Sequence, residues 1–125
     1  MSKSLEDYLK GIYLLKKRKQ YSNKNLAEYL NISPASVSEM IKKLSNENYL
    51  ILEGRNMKLT KKGSDMAVNI IRKHRVWEVF LVEKLGYDKD EIHEEAEVLE
   101  HVTSEKLLQK LEKFLFYPKE CPHGS

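Results

Sequence analysis

Three residues, Asn31-Ile32-Ser33, separate two apolar helical stripes, and no other feature of the chain restricts its fold so tightly. Before them Leu26, Ala27 and Leu30 recur at helical spacing; after them come Val37, Met40, Ile41 and Leu44. The periodicity predicts helices over about 23–30 and about 34–46. Ser33-Pro34 is a strong helix start, because a Ser side chain caps free backbone N–H groups and Pro suits the first helical position. A connection this short can only be a turn, and two short helices joined by a tight turn make a helix-turn-helix.

The flanks extend the pattern. Leu5, Tyr8, Leu9, Ile12 and Leu15 follow Ser4 at helical spacing and predict a first helix over about 5–18, running into Lys16-Lys17-Arg18-Lys19. Downstream, Tyr49–Glu53 and Met57–Thr60 read as short strands around Gly54-Arg55-Asn56, where Gly and Asn tolerate positive φ. Helix, helix-turn-helix and hairpin in this order resemble the winged-helix DNA-binding domain, over about residues 5–62.

Charge divides the chain. Residues 1–63 carry 13 Lys or Arg against 6 Asp or Glu, a net +7, whereas residues 64–125 carry 9 against 13, a net −4. The basic front suits a polyanion and the acidic rear suits cations. On the expected recognition helix Ser33, Pro34, Ala35, Ser36 and Ser38 bring small groups that let the backbone approach a major groove. Lys42, Lys43 and the wing residues Arg55 and Lys58 are placed to neutralise phosphates. Arg and Asn, the usual bidentate base readers, are missing from the early helix face, so specificity is expected from hydroxyls, apolar contacts and DNA shape. A winged helix that docks protein instead of DNA is the alternative.

In the rear half, residues 93–101 read His-Glu-Glu-Ala-Glu-Val-Leu-Glu-His. On a helix advancing about 100° per residue, His93, Glu97, Glu100 and His101 share one face, bordered by Ile92, Ala96 and Leu99. Carboxylates and imidazoles crowded beside a core repel or lose solvation, and a divalent cation relieves both costs. The alternative is a solvated acidic face. His74 and Glu78, four apart on a long helix expected over about 62–85, form a second ligand pair or a surface pair. That helix carries Met66, Ile70, Trp77, Phe80 and Leu81. Gly86 ends it, Asp88 or Asp90 restarts one through Val102, and Ser104 caps a last helix with Leu107, Leu108, Leu111, Phe114 and Leu115. The rear half is too small to bury so much apolar surface alone, so part of it is expected to form a homodimer interface, which also supplies two recognition helices.

The 125 residues are 41% hydrophobic and 33% charged, enough for one or two small globular units. No apolar run approaches the roughly 18–20 residues of a membrane span, and the start lacks the pattern of a signal peptide; a cytoplasmic location is expected. The lone Cys121 forms no internal disulfide. An enzyme is not expected: the His93-Glu94 run lacks the second His of a zinc protease helix, and no nucleophile constellation, Gly-rich phosphate loop or paired Glu-x-x-His motif is present.

Taken together, Leu5-Glu6-Asp7-Tyr8-Leu9 with Ile12-Tyr13, Ser36-Val37-Ser38, Leu59-Thr60-x-x-Gly63, Arg72-Lys73-His74-Arg75, Glu97-x-x-Glu100-His101 and Cys121-Pro122-His123-Gly124 resemble the diphtheria toxin repressor and manganese transport regulator family of metal-dependent repressors. The resemblance implies a mainly α chain: a winged helix-turn-helix DNA-binding domain over 1–63, then an all-α metal-binding and dimerisation domain over 64–125. It implies a primary metal site of Asp7, Glu97, Glu100 and His101 and a second site of His74, Glu78 and His93. Asp7 is assigned by the resemblance alone. Iron-type members place Met and Cys where this chain has Asp7 and Glu97, so the oxygen-rich set favours manganese(II), with iron(II) open. Relatives with a closely spaced manganese pair carry Glu where this chain has Lys10, which argues for two more separate sites. Cys121 is either a further ligand or a reduced tail thiol. Many iron-type relatives continue into a small β-barrel domain that is absent here, so a shortened or minimal form is expected. The partners implied are double-stranded operator DNA, a second copy of the chain and a divalent metal ion, without a membrane; a metal-independent winged-helix regulator is the competing reading.

Overall fold

A computed structural model describes residues 4–120 and Pro122. In chain order the elements are α1 (Leu5–Lys17), α2 (Asn23–Leu30), α3 (Pro34–Asn46), β1 (Leu50–Glu53), β2 (Asn56–Leu59), α4 (Lys61–Glu83), α5 (Ile92–Glu100) and α6 (Glu105–Phe114). They form two compact units, Met1–Val68 and Asn69–Ser125, whose division falls inside α4.

In the first unit α1, α2 and α3 each start at a serine that satisfies free backbone donors. Ser4 and Asp7 make a reciprocal capping box, Ser22 Oγ accepts from Asn25 N, and Ser33 Oγ accepts from Ser36 N with Pro34 entering the first turn. The turn of the helix-turn-helix hinges on Asn31, left-handed at φ 56°, while Ile32 N donates back to Ala27 O at 3.0 Å. Leu9, Ile12, Leu26, Val37, Leu44 and Leu50 are fully buried in one core, which Met57 closes from β2. Burying each such aliphatic side chain stabilises by roughly 1.5–3 kcal/mol.

The wing is a two-stranded antiparallel hairpin with Leu50 opposite Leu59 and Glu53 opposite Asn56, turning at Gly54 with φ +61°. Thr60 joins it to α4. Its N–H donates to Tyr49 O at 3.1 Å, its hydroxyl donates to Asn48 O at 2.7 Å, and Gly63 N donates to that hydroxyl at 3.1 Å. A Cβ on Gly63 would stand 2.1 Å from Tyr49 O, which explains why Thr-x-x-Gly follows the wing.

The second unit packs Val76 and Val79 of α4 against Leu108 and Leu111 of α6 and Leu115 just beyond it, with Trp77 and Phe80 alongside. Both nitrogens of Arg72 that face Glu112 are hydrogen-bonded to its carboxylate, pinning α4 to α6, and this pairing holds the guanidinium above its ordinary pKa. One expectation shifts here. The helix placed from Asp88 or Asp90 begins only at Ile92, because residues 88–91 form an exposed turn with Glu91 N on Asp88 O, and Ile92 is the first side chain with a core to enter. On α6 the inward stripe is Leu108 and Leu111, continued by Leu115, while Leu107 and Phe114 are 41% and 56% exposed. No helix among the described residues is long and apolar enough to cross a membrane.

Candidate metal centre and recognition surface

Six of the residues singled out as ligands lie in the second unit, and there they form one line of alternating acids and imidazoles. Glu97 Oε1 is 3.1 Å from His93 Nε2, and His93 Nδ1 is 3.5 Å from Glu78 Oε2. The same Glu78 oxygen is 3.0 Å from His74 Nε2, while His74 Nδ1 is 2.6 Å from Glu100 Oε1. Glu100 Oε2 ends the line 3.7 Å from His101 Nε2. The middle is dry: the side chains of Glu78 and Glu100 are 0% exposed and that of His74 6%, whereas those of His93 and Glu97 are about half exposed.

Local structure explains the placement. Spacing of four puts His74 and Glu78 on one face of α4, and the same spacing brings His93 beside Glu97 on α5. Ile92 and Ala96, both fully buried, turn α5 so that Glu100 is buried with them. The His74 and His93 rings meet edge to face at 5.0 Å between centroids.

Proton bookkeeping then constrains the chemistry. A neutral imidazole has one N–H, yet His74 and His93 each meet a carboxylate at both nitrogens. Two neutral rings cannot donate to all four contacts, so a cation or further protons would complete the cluster. One ligand atom each from His74, Glu78 and His93 falls within a sphere of mutual distances under 4.8 Å, a nitrogen and oxygen set suited to a divalent metal ion. A cation there would leave His74 Nδ1–H on Glu100 and His93 Nε2–H on Glu97, the usual support of metal-bound imidazoles by carboxylates.

The other expected ligands are placed as follows. Asp7 belongs to the first unit, where its Oδ2 accepts from Ser4 N at 3.1 Å in the capping box of α1. Lys10 is buried in the same helix. Cys121 lies outside the described residues. The register of α4 against α5, which sets Glu78 on His93 and His74 on Glu100, has no signal in residue spacing.

In the first unit Ser33, Pro34, Ala35, Ser36, Ser38, Lys42 and Lys43 are all exposed on α3 and its cap, as are Arg55 and Lys58 of the wing. The hydroxyls of Ser33 and Ser36 lie 2.9 Å apart inside the cap, which leaves Ser38 as the uncommitted hydroxyl of the early helix.

The domain that carries the metal-ligand line, residues 60–125, matches the metal binding and dimerisation domain of the iron dependent repressors, and residues 1–56 match their N-terminal DNA binding domain. The chain belongs to the iron-dependent repressor family. An uncharacterised HTH-type transcriptional regulator of Methanocaldococcus jannaschii is 42% identical over 118 residues, 92% of this chain and 94% of its own length. The HTH-type transcriptional regulator MntR of Bacillus subtilis is 34% identical over 119 residues, 94% of this chain and 83% of its own. Among solved structures, the manganese regulator SloR superposes with a TM-score of 0.85 at 50% identity, covering 98% of this chain and 58% of that one. The chain therefore spans less than two thirds of that solved relative. The family is the one its motifs resemble, and it is a family of transcriptional regulators with a helical, winged architecture.

Proposed function

We propose that the chain is a metal-dependent transcriptional repressor that binds operator DNA as a homodimer in the cytoplasm when loaded with manganese(II), and iron(II) is the competing cation. The observation that carries this reading is the buried line of carboxylates and imidazoles, which needs more positive charge than its neutral rings supply. His74, Glu78 and His93 hold one cation. Glu97, Glu100 and His101 hold the other, with Asp7 joining them by the family resemblance and Glu97 turning from His93 to do so. Cys121 is a further ligand or a reduced thiol. The all nitrogen and oxygen set favours manganese over soft-ligand metals, while iron competes because affinity rises along the series from manganese to iron.

The bound ion supplies charge compensation: it removes the mutual repulsion of the acids and fixes the DNA-binding domain, which contributes Asp7, to the dimerisation domain. Exposed Leu107, Phe114, Val98 and Val102 provide apolar surface for the second copy. Ser38, Ala35 and Pro34 meet the major groove, and Lys42, Lys43, Arg55 and Lys58 meet phosphates. Metal and DNA then tighten each other's binding by the same factor.

The test is fluorescence anisotropy of a labelled promoter duplex from a metal-uptake gene, titrated with the purified chain at fixed ionic strength with manganese(II), iron(II), zinc(II) or chelator. Manganese is expected to tighten binding by roughly 5–150-fold, the ordinary range of such coupling. Unchanged affinity with every metal would establish the metal-independent regulator instead.

A further inference from the structure

Just beyond α5, a buried threonine joins the two ligand-bearing helices without being a ligand. Thr103 is 5% exposed. Its hydroxyl accepts from Trp77 Nε1 at 2.7 Å and donates to Leu99 O at 2.6 Å. Leu99 O also accepts from Val102 N at 3.2 Å, so the last turn of α5 is closed by a backbone and a side-chain donor together. Glu100 and His101 sit on that turn. At the other end of the bridge, Trp77 stands on α4 between His74 and Glu78.

We infer that Thr103 is a positioning residue for the metal centre, holding the end of α5 against α4 so that Glu100 meets His74. The inference rests on the metal-dependent reading above. The physical reason is that a carboxylate at the frayed end of a short helix has many orientations, and only a fixed helix end presents it at 2.6 Å from an imidazole on a neighbouring helix. A hydroxyl is required because the bridge needs one acceptor and one donor at the same point: the indole N–H can only donate, and the carbonyl of Leu99 can only accept. Valine matches the shape and provides neither.

The experiment measures manganese(II) affinity of the full chain by calorimetry for wild type, Thr103→Val, Thr103→Ser and Trp77→Phe, with apo melting temperatures taken alongside. Trp77 is the sole tryptophan, so its emission reports whether the indole has lost its acceptor. Thr103→Val is expected to weaken manganese binding roughly tenfold or more, as loss of outer support for metal ligands does. Thr103→Ser restores it, and Trp77→Phe weakens it without adding to the valine effect, because both remove one bond. Wild-type affinity in Thr103→Val with a shifted Trp77 emission overturns the inference, as does a Thr103→Ser no better than valine, or a fall in melting temperature with affinity intact. A wild-type protein that takes up neither manganese(II) nor, in a parallel anaerobic titration, iron(II) overturns the metal-dependent reading itself and this inference with it.

Discussion

Replacing Glu78 with Gln distinguishes a metal ligand from a structural acid, because the two roles predict opposite signs in the metal-free protein. Glu78 is fully buried with one oxygen 3.0 Å from His74 and 3.5 Å from His93. Burying a carboxylate costs several kcal/mol even after relaxation, and its partners offset this only in part. Gln keeps the shape and an acceptor oxygen while removing the charge, so without metal the variant should be as stable as wild type or more so. With metal the order inverts. A cation at hundredfold excess over its Kd stabilises the native state by about 2.7 kcal/mol. For a chain of this size, between the small and large domain regimes, that is about 10 °C in Tm. If loss of the charged ligand weakens binding about hundredfold, the same manganese concentration contributes only about 0.4 kcal/mol, or about 2 °C.

Differential scanning calorimetry of both proteins in manganese(II) and in chelator reads all four values. Mildly alkaline buffer keeps ligand protonation from competing with the ion. The reasoning is refuted if Glu78→Gln retains the full metal-induced rise. It is refuted equally if the variant loses several kcal/mol in chelator and nothing further in metal, since Glu78 would then act as a structural group.

Gly63→Ala should destabilise the first unit by about 1–3 kcal/mol, toward the upper end, because the new Cβ meets a backbone carbonyl that Thr60 N holds in place; urea titration followed by circular dichroism checks this, and a loss below about 0.5 kcal/mol would mean the junction yields freely. Tyr21, whose phenol donates to Asn23 Oδ1, has its pKa pushed up to about 12 by burial. Its folded pKa lies above the ordinary 10, so between about pH 10 and 12 the unfolded chain ionises first and stability falls as pH rises through that window. Tyr21→Phe should flatten this part of the stability profile, and a slope as steep as wild type would show that another group causes it.

Local features were legible in the sequence. The cap at Ser33, the tight turn and the hairpin at Gly54 depend on neighbours within four residues, which periodicity and cap chemistry report directly. The same logic misplaced the start of α5. Asp88 and Asp90 are good cap residues, but helix formation waits for Ile92, whose burial outweighs an exposed cap. For the metal ligands, spacing found each helix's own face. It could not find the pairing between faces, which depends on the axial offset of α5 along α4 and is decided by packing distant in sequence.

On the metal-dependent reading proposed above, that pairing would turn ordinary residues into a switch. Alternating acids and imidazoles place both buried carboxylates, Glu78 and Glu100, within 3.7 Å of imidazole nitrogens. A divalent ion would supply positive charge to several of these carboxylates at once. Metal uptake should therefore release protons and strengthen as pH rises toward neutrality. The buried centre, Glu78, His74 and Glu100, lies between the exposed ends, Glu97 and His101, where an entering ion would first meet the chain. A row of the same residues on an open surface would be neutralised by water and salt and would gain little from any ion. Burial at the centre makes the charge requirement strict, and exposure at the ends makes it answerable by metal.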